Sequence, residues 1–201
     1  MDAQCKCVIA SAVAYQCYVR PEDVDTEGIR HITADDIICF KRMGRACRLL
    51  AQSALVGEGV ITAYVEPTLV GLDSTEAAVR LNNNTISVTG EYFGVHTFQG
   101  QGAGKDPTAF AVELGLRDIL EGVSPRMNPI PSGYAEVDNL AARHAYYLRT
   151  KASIAIEAEK LGDCVGGAAW LTKPMSVREM HDLAKVLREA DGDLFFAGLR
   201  D

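Results

Sequence analysis

Gly100, Gly102 and Gly104 alternate through the run Gly100-Gln101-Gly102-Ala103-Gly104-Lys105-Asp106-Pro107-Thr108-Ala109, which leads into the apolar-rich segment Phe110 to Leu120. Glycine accepts positive φ and lets a ligand approach bare backbone. Proline suits the first turn of a helix, where its missing N–H is no loss. Together they leave free amides at a helix start, where a phosphate, a carboxylate or the polar edge of a cofactor can be held. A tight strand-to-helix turn that needs glycine for geometry alone has the same pattern. Two nucleotide motifs are excluded. A phosphate-cradling loop requires glycine where Gln99 stands and a hydroxyl where Asp106 stands. The dinucleotide fingerprint Gly-x-Gly-x-x-Gly differs from the Gly-x-Gly-x-Gly spacing found here in mid-chain.

A second pair of chemically capable residues is Asp2 and Lys6. Four residues along a helix turn about 400°, so both side chains leave one face about one turn apart. On spacing alone they are an ordinary surface ion pair worth a few tenths of a kcal/mol. The four histidines (31, 96, 144 and 181) form no metal-ligand spacing and are expected to be incidental. No metal site is expected. The six cysteines lack Cys-x-x-Cys pairs and read as small buried hydrophobes of a reducing, cytoplasmic compartment.

These residues need elements to hold them. Asp2 to Cys17 has helical apolar spacing, and Thr33 reads as the cap of a helix from Ala34 to Met43 that stops at Gly44. Arg48–Leu55, Gly59–Val65, Thr85–Thr89 and Phe93–Phe98 read as strands, the last two joined by a Gly90-Glu91 turn. The glycine run then opens a helix from Pro107 to Leu120. Pro125, Pro129 and Pro131 mark a composition break. Beyond it, Ala145–Ser153, Gly167–Thr172 and Leu194–Leu199 read as strands. Ser176 and Glu179 make a capping box for a helix ending near Ala190.

At 201 residues and 48% apolar composition the chain can bury a real core in one domain and a small appendage. A formal charge of −7 disfavours nucleic acid and anionic membrane as partners. The expected fold class is α+β. A mostly antiparallel sheet carries helices on one face, and a small α/β appendage follows. The expected division is 1–121, a linker at 122–143, and a tail at 144–201.

With these elements placed, an ordered series of motifs appears. It comprises Asp2-x-x-x-Lys6, Glu27-Gly28-Ile29, Ile32-Thr33-Ala34-Asp35-Asp36-Ile37, Leu49-Leu50-Ala51, Val65-Glu66-Pro67-Thr68-Leu69-Val70, and the glycine run through Val112. In order and spacing it resembles the substrate and catalytic domain of homoserine dehydrogenases. The resemblance implies interconversion of L-homoserine and L-aspartate 4-semialdehyde, a step toward threonine and methionine, with NAD or NADP as cofactor. It implies Lys6 as the general acid/base, Asp2 as a substrate-binding residue, and Gly104 against the cofactor. The chemistry suits those types: reducing an aldehyde requires a proton for the developing alkoxide, which an ammonium can give while stabilising the negative charge. A carboxylate beside it can pair with the substrate ammonium.

In the family a nucleotide-binding domain precedes the Asp-x-x-x-Lys helix, and the 201 residues contain no such fingerprint. The expectation is a truncated chain with no turnover by itself, because positioning of the hydride donor is worth several kcal/mol of the barrier. His144 to Arg149 and Leu194 to Gly198 resemble edges of an ACT-like domain, which implies an allosteric amino acid such as threonine as a further ligand. A homodimer is the expected assembly. The alternative function is a non-catalytic amino-acid-binding or dimerisation module derived from the same enzyme.

Overall fold

The computed structural model describes residues 1–123 and 133–200. Pro125, Pro129 and Pro131, on which the linker reading rested, lie outside the described residues. The chain divides into two compact units, Met1–Gly71 with Asn128–Asp201, and Leu72–Met127.

The first unit opens with helix α1 (Asp2–Tyr15), a 3₁₀ turn (Pro21–Asp23), strand β1 (Asp25–Thr26), helix α2 (Ala34–Arg42) and the long strands β2 (Arg45–Gly57) and β3 (Val60–Gly71). The second holds α3 (Thr75–Ala78), β4 (Asn83–Gly90), β5 (Gly94–Gln101) and α4 (Lys105–Leu120). The first unit resumes with β6 (Glu136–Val137), β7 (Arg143–His144), β8 (Tyr146–Thr150), β9 (Ala158–Cys164), β10 (Gly167–Thr172), β11 (Met175–Ser176), α5 (Val177–Arg188) and β12 (Phe195–Leu199).

Strand β3 organises the first unit. One edge pairs antiparallel with β2 along its length, from Val60↔Gly57 to Gly71↔Arg45. The other edge is shared by β6 at Val60–Ile61, β1 at Tyr64–Val65 and β12 at Thr68–Leu69, all parallel. From β12 the sheet continues antiparallel through β8, β10 and β9. The α+β class with a mostly antiparallel sheet is therefore what the chain adopts. The strands of residues 144–199 extend the sheet of the N-terminal half, and the compact units divide at residue 71 rather than at 121.

Alternation along each strand sorts the core into layers. Ile61, Ala63 and Val65 of β3 pack with Cys7 of α1, and Leu69 packs on the same side with Phe40 of α2. Tyr147, Ala197 and Phe195 belong to that α2 cluster, whereas Tyr146, Leu148 and Phe196 meet Met180, Ala184 and Leu187 of α5. Helices α1 and α2 thus share a sheet face, and α5 covers the opposite one.

Local chemistry accounts for the ends of α2 and α5. Thr33 and Asp36 form a reciprocal capping box, as do Ser176 and Glu179. Gly44 takes φ +69°, which ends the α2 segment. In the second unit, β4 and β5 pair from Asn83↔Gln101 to Gly90↔Gly94. A Cβ at Gly90 would lie 2.2 Å from the Phe93 ring, so glycine lets that ring fold over the turn. Helix α4 begins at Lys105, two residues before Pro107, and Gly104 is its N-cap with φ +126°.

Candidate functional site

Asp2 and Lys6 lie in the first two turns of α1, and Lys6 Nζ stands 2.9 Å from Asp2 Oδ2. The pair occupies the solvent side, with side chains 63% and 83% exposed for lysine and aspartate. The opposite side is anchored: Cys7 and Ser11 are buried, and Tyr15 donates to the Ser53 carbonyl at 3.0 Å. Gln4 donates to the Pro21 carbonyl at 2.7 Å. The helix is therefore fixed against β2 and β3, while the ammonium–carboxylate pair faces solvent.

Gly104 belongs to the second unit. Among the described residues no side chain caps α4 at Gly104. Asn82 holds the preceding loop by donating to the Ala103 carbonyl at 2.7 Å, and its own carbonyl accepts from the Gly102 amide at 2.9 Å. An open groove along this helix is lined by Gly104, Lys105, Thr108, Val112 and Glu113. The helix-start amides, bare backbone at Gly104 and an open approach fit the polar edge of a nicotinamide cofactor. The structure brings Asp2 and Lys6 together and places Gly104 in a separate unit, at the helix start its spacing predicted.

Two clusters of buried charge were not evident from motif spacing. Asp36 is fully buried and accepts from Tyr147 Oη at 2.7 Å and from Arg149 Nε at 2.9 and 3.1 Å. Arg149, also buried, donates further to the carbonyls of His31 (2.7 Å) and Gly166 (3.3 Å). Burial and the Asp36 carboxylate together push the Tyr147 phenol far above its ordinary range. Part of the Ile32–Ile37 motif is therefore a structural anchor for strand β8.

The second cluster corrects the expectation that all histidines are incidental. Glu66, fully buried on β3, accepts from His144 Nε2 at 2.8 Å through Oε1 and from His181 Nε2 at 3.2 Å through Oε2. Tyr146 Oη lies 3.5 and 3.4 Å from the same two oxygens. Burial raises the Glu66 carboxyl, but the hydrogen bonds and charges of His144 and His181 outweigh it, leaving it below the ordinary value. One signal in the sequence pointed here: Glu66 is the lone charged residue in the mostly apolar run of β3, and a buried carboxylate must find partners.

The cysteines are all free, but only Cys7 is buried; Cys5 on α1 is exposed, because α1 turns it away from the sheet. Among the described residues no His, Cys, Asp and Glu group is arranged to hold a metal ion. Among the described residues no helix is long and apolar enough to cross a membrane.

Comparison with known proteins bears on the same residues. The family model described as homoserine dehydrogenase matches residues 1–120, which include Asp2, Lys6, Glu66 and Gly104. A homoserine dehydrogenase from Synechocystis sp. is 38% identical over 140 residues, covering 66% of this chain and 32% of that protein. One from Mycobacterium leprae is 36% identical over 190 residues, covering 90% of this chain and 42% of that protein. The crystal structure of a homoserine dehydrogenase from Thiobacillus denitrificans superposes with a TM-score of 0.75 at 25% identity, over 100% of this chain and 53% of that one. The chain thus spans a third to a half of the length of the relatives it matches. With more than half of its residues matched and its sheet and helices superposing on a solved member, the chain belongs to the homoserine dehydrogenase family.

Proposed function

We propose that these residues form the substrate and acid–base portion of a homoserine dehydrogenase, interconverting L-homoserine and L-aspartate 4-semialdehyde. The observation that carries this reading is the family match over residues 1–120, within which Lys6 Nζ and the Asp2 carboxylate stand side by side on an anchored helix. Lys6 gives a proton to the carbonyl oxygen in the reducing direction and, as the neutral amine, takes it from the hydroxyl in reverse. Asp2 pairs with the substrate ammonium and holds the carbon chain near the lysine. A nicotinamide cofactor, NAD or NADP, supplies or accepts the hydride. The backbone at Gly104 and the first amides of α4 are the residues of this chain that would lie against it.

The division of labour read from the sequence is part of the proposal. Residues 1–121 carry substrate and dimer contacts, 122–143 connect, and 144–201 serve as an ACT-like regulatory or dimer-contact tail. Exposed apolar side chains on the second unit (Ile86, Val88 and Phe98 of the hairpin, Phe110 and Leu116 of α4) support self-association into a homodimer.

The 201 residues assayed alone are expected to oxidise no NADPH with aspartate semialdehyde above the blank. Joined behind the part of the Thiobacillus denitrificans enzyme that lies outside the match, they are expected to turn over. A joined protein that folds and binds NADPH yet shows no turnover overturns the reading. Turnover by the 201 residues alone at a few per cent of the joined enzyme overturns the dependence on a separate nucleotide-binding portion.

A further inference from the structure

We propose that Arg188 of α5 is a positioning residue for the Asp2–Lys6 pair, acting across the sheet through the Val24–Glu27 segment and the Pro21 turn. For turnover, this role rests on the reading of Lys6 as the acid–base residue. The hold that α5 has on the first turns of α1 is independent of that reading.

The contacts run from α1. Gln4 lies about 200° around the helix from both Asp2 and Lys6, so it backs the pair from the opposite side. Its Nε2 donates to the Pro21 carbonyl at 2.7 Å, and Ala3 beside it packs against the core cluster that holds Cys7. The same Pro21 carbonyl accepts from the Val24 amide at 3.2 Å, which closes the Pro21–Asp23 turn. The position of that carbonyl, and with it the tie to Gln4, is therefore set by where Val24 and the strand after it sit.

Strand β1 pairs with β3 through Asp25 and Thr26, and the Glu27 amide adds a bond to the Val65 carbonyl at 2.7 Å. A ladder this short leaves much of the anchoring to side chains. Alternation sends those side chains to both faces of the sheet. Val24 packs with Cys7 on the α1 face. Asp25 and Glu27 instead meet α5. Asp25 is buried with both oxygens engaged: Arg178 Nη1 stands 3.0 Å from Oδ1, and Asn139 Nδ2 donates to Oδ2 at 2.9 Å. Glu27 Oε2 stands 2.5 Å from Arg188 Nη2, and its Oε1 accepts from the Gly28 amide at 3.0 Å. Arg178 lies in the first turn of α5 and Arg188 is its last residue, so the helix holds the strand at two points. Asn139 also fastens the Asp25 end to β3, through bonds of 2.9 Å to both the amide and the carbonyl of Ala63. The Glu27 end relies on Arg188, in a charge-assisted contact whose carboxylate is only 10% exposed. Loosening it frees the segment that carries the Pro21 carbonyl to Gln4.

The test is amide exchange followed by proton–nitrogen NMR in the complete 201-residue chain. In R188Q, exchange at Cys5, Lys6 and Cys7 is expected to be faster by about tenfold, while β10 keeps its wild-type rates. R188K, which can keep the single contact to Glu27, is expected to restore the protection. K185Q, which ends a pair internal to α5, is expected to change neither region. Gln4→Met cuts the same path at its other end and is expected to speed the same three amides, with no further change when R188Q is added. Unchanged α1 exchange in R188Q overturns the proposal. An equal acceleration in β10 does so too, since Arg188 would then stabilise the whole unit without selecting α1. Multiplying effects in the double variant overturn the path through Pro21. If R188Q does not fold, E27Q removes the same contact from the strand side and decides by the same comparison. In the joined enzyme, R188Q is expected to lower kcat by about tenfold with the KM for NADPH unchanged. An unchanged kcat alongside faster α1 exchange overturns the positioning of the pair. A joined parent without turnover counts against Lys6 as the acid–base residue, and the exchange comparison then still decides what Arg188 holds.

Discussion

Asp36 and Arg149 show how much a single buried pair can carry when its members come from distant parts of the chain. Removing the carboxylate in Asp36→Ala leaves a guanidinium that is 1% exposed with only carbonyl partners. Breaking a buried pair from one side costs about 3–5 kcal/mol. The D36A chain is expected to lose that much in urea unfolding, or to fail to fold at 37 °C. An unchanged urea midpoint would contradict the assignment. This pair was invisible to spacing rules because its residues are 113 apart in sequence. Asp2 and Lys6 were legible because four residues on a helix fix their proximity. Glu66 was half legible: its place in an apolar run marked it as needing partners, but only the fold identifies His144 and His181. Loss of hydration, only partly offset by the Arg48 charge, pushes the Cys47 thiol up to about 12, which makes it a poor nucleophile at neutral pH.

At the scale of elements, what could be read in advance is what local chemistry determines. The capping boxes at Thr33 and Ser176 start α2 and α5 where the sequence places them, and β10 occupies Gly167–Thr172 as its apolar run implies. Ser176→Ala is expected to lower stability by about 1 kcal/mol, seen as a shift of the urea midpoint at constant slope. A slope change instead would mean that the cap acts on more than the helix end. Strand β9 escaped because Glu159, Lys160, Gly162 and Asp163 give it no clean alternation, and its pairing with β10 carries a register shift between Ala169 and Trp170. Gly167 is held there by φ +127° and by the Thr150 carbonyl, which an added Cβ would approach to 2.3 Å. Gly167→Ala is expected to cost at least about 1–3 kcal/mol by the same unfolding measurement. A neutral effect would mean that the β8–β10 pairing is looser than described.

For the molecule as a whole, the sheet was harder to foresee than its strands. Strand β3 joins β2, β1, β6 and β12, and only non-local pairing decides that residues 144–199 continue it. That continuity makes acid stability a property of the whole unit. Glu66 and Asp191 both have carboxyls below their ordinary values; in each, burial raises them and hydrogen bonds from neighbours prevail. Groups lowered in the folded state contribute stability above their unfolded pKa and lose it as pH falls through the folded one. The melting temperature is therefore expected to fall as pH drops below the ordinary carboxylate range of about 3.9 to 4.3. In E66Q the fall is expected to be shallower. An equal slope in E66Q would show that other carboxylates govern it.

The proposed function makes Lys6 the acid–base residue of a homoserine dehydrogenase. The measurement that tests it most directly is turnover of aspartate semialdehyde at saturating NADPH by the joined enzyme, with and without Lys6→Ala. Loss of a positioned proton donor is expected to lower kcat by about 10²- to 10⁴-fold while leaving NADPH binding unchanged, since Lys6 lies on α1 and Gly104 on α4. A K6A enzyme that turns over within twofold of the parent would contradict the claim.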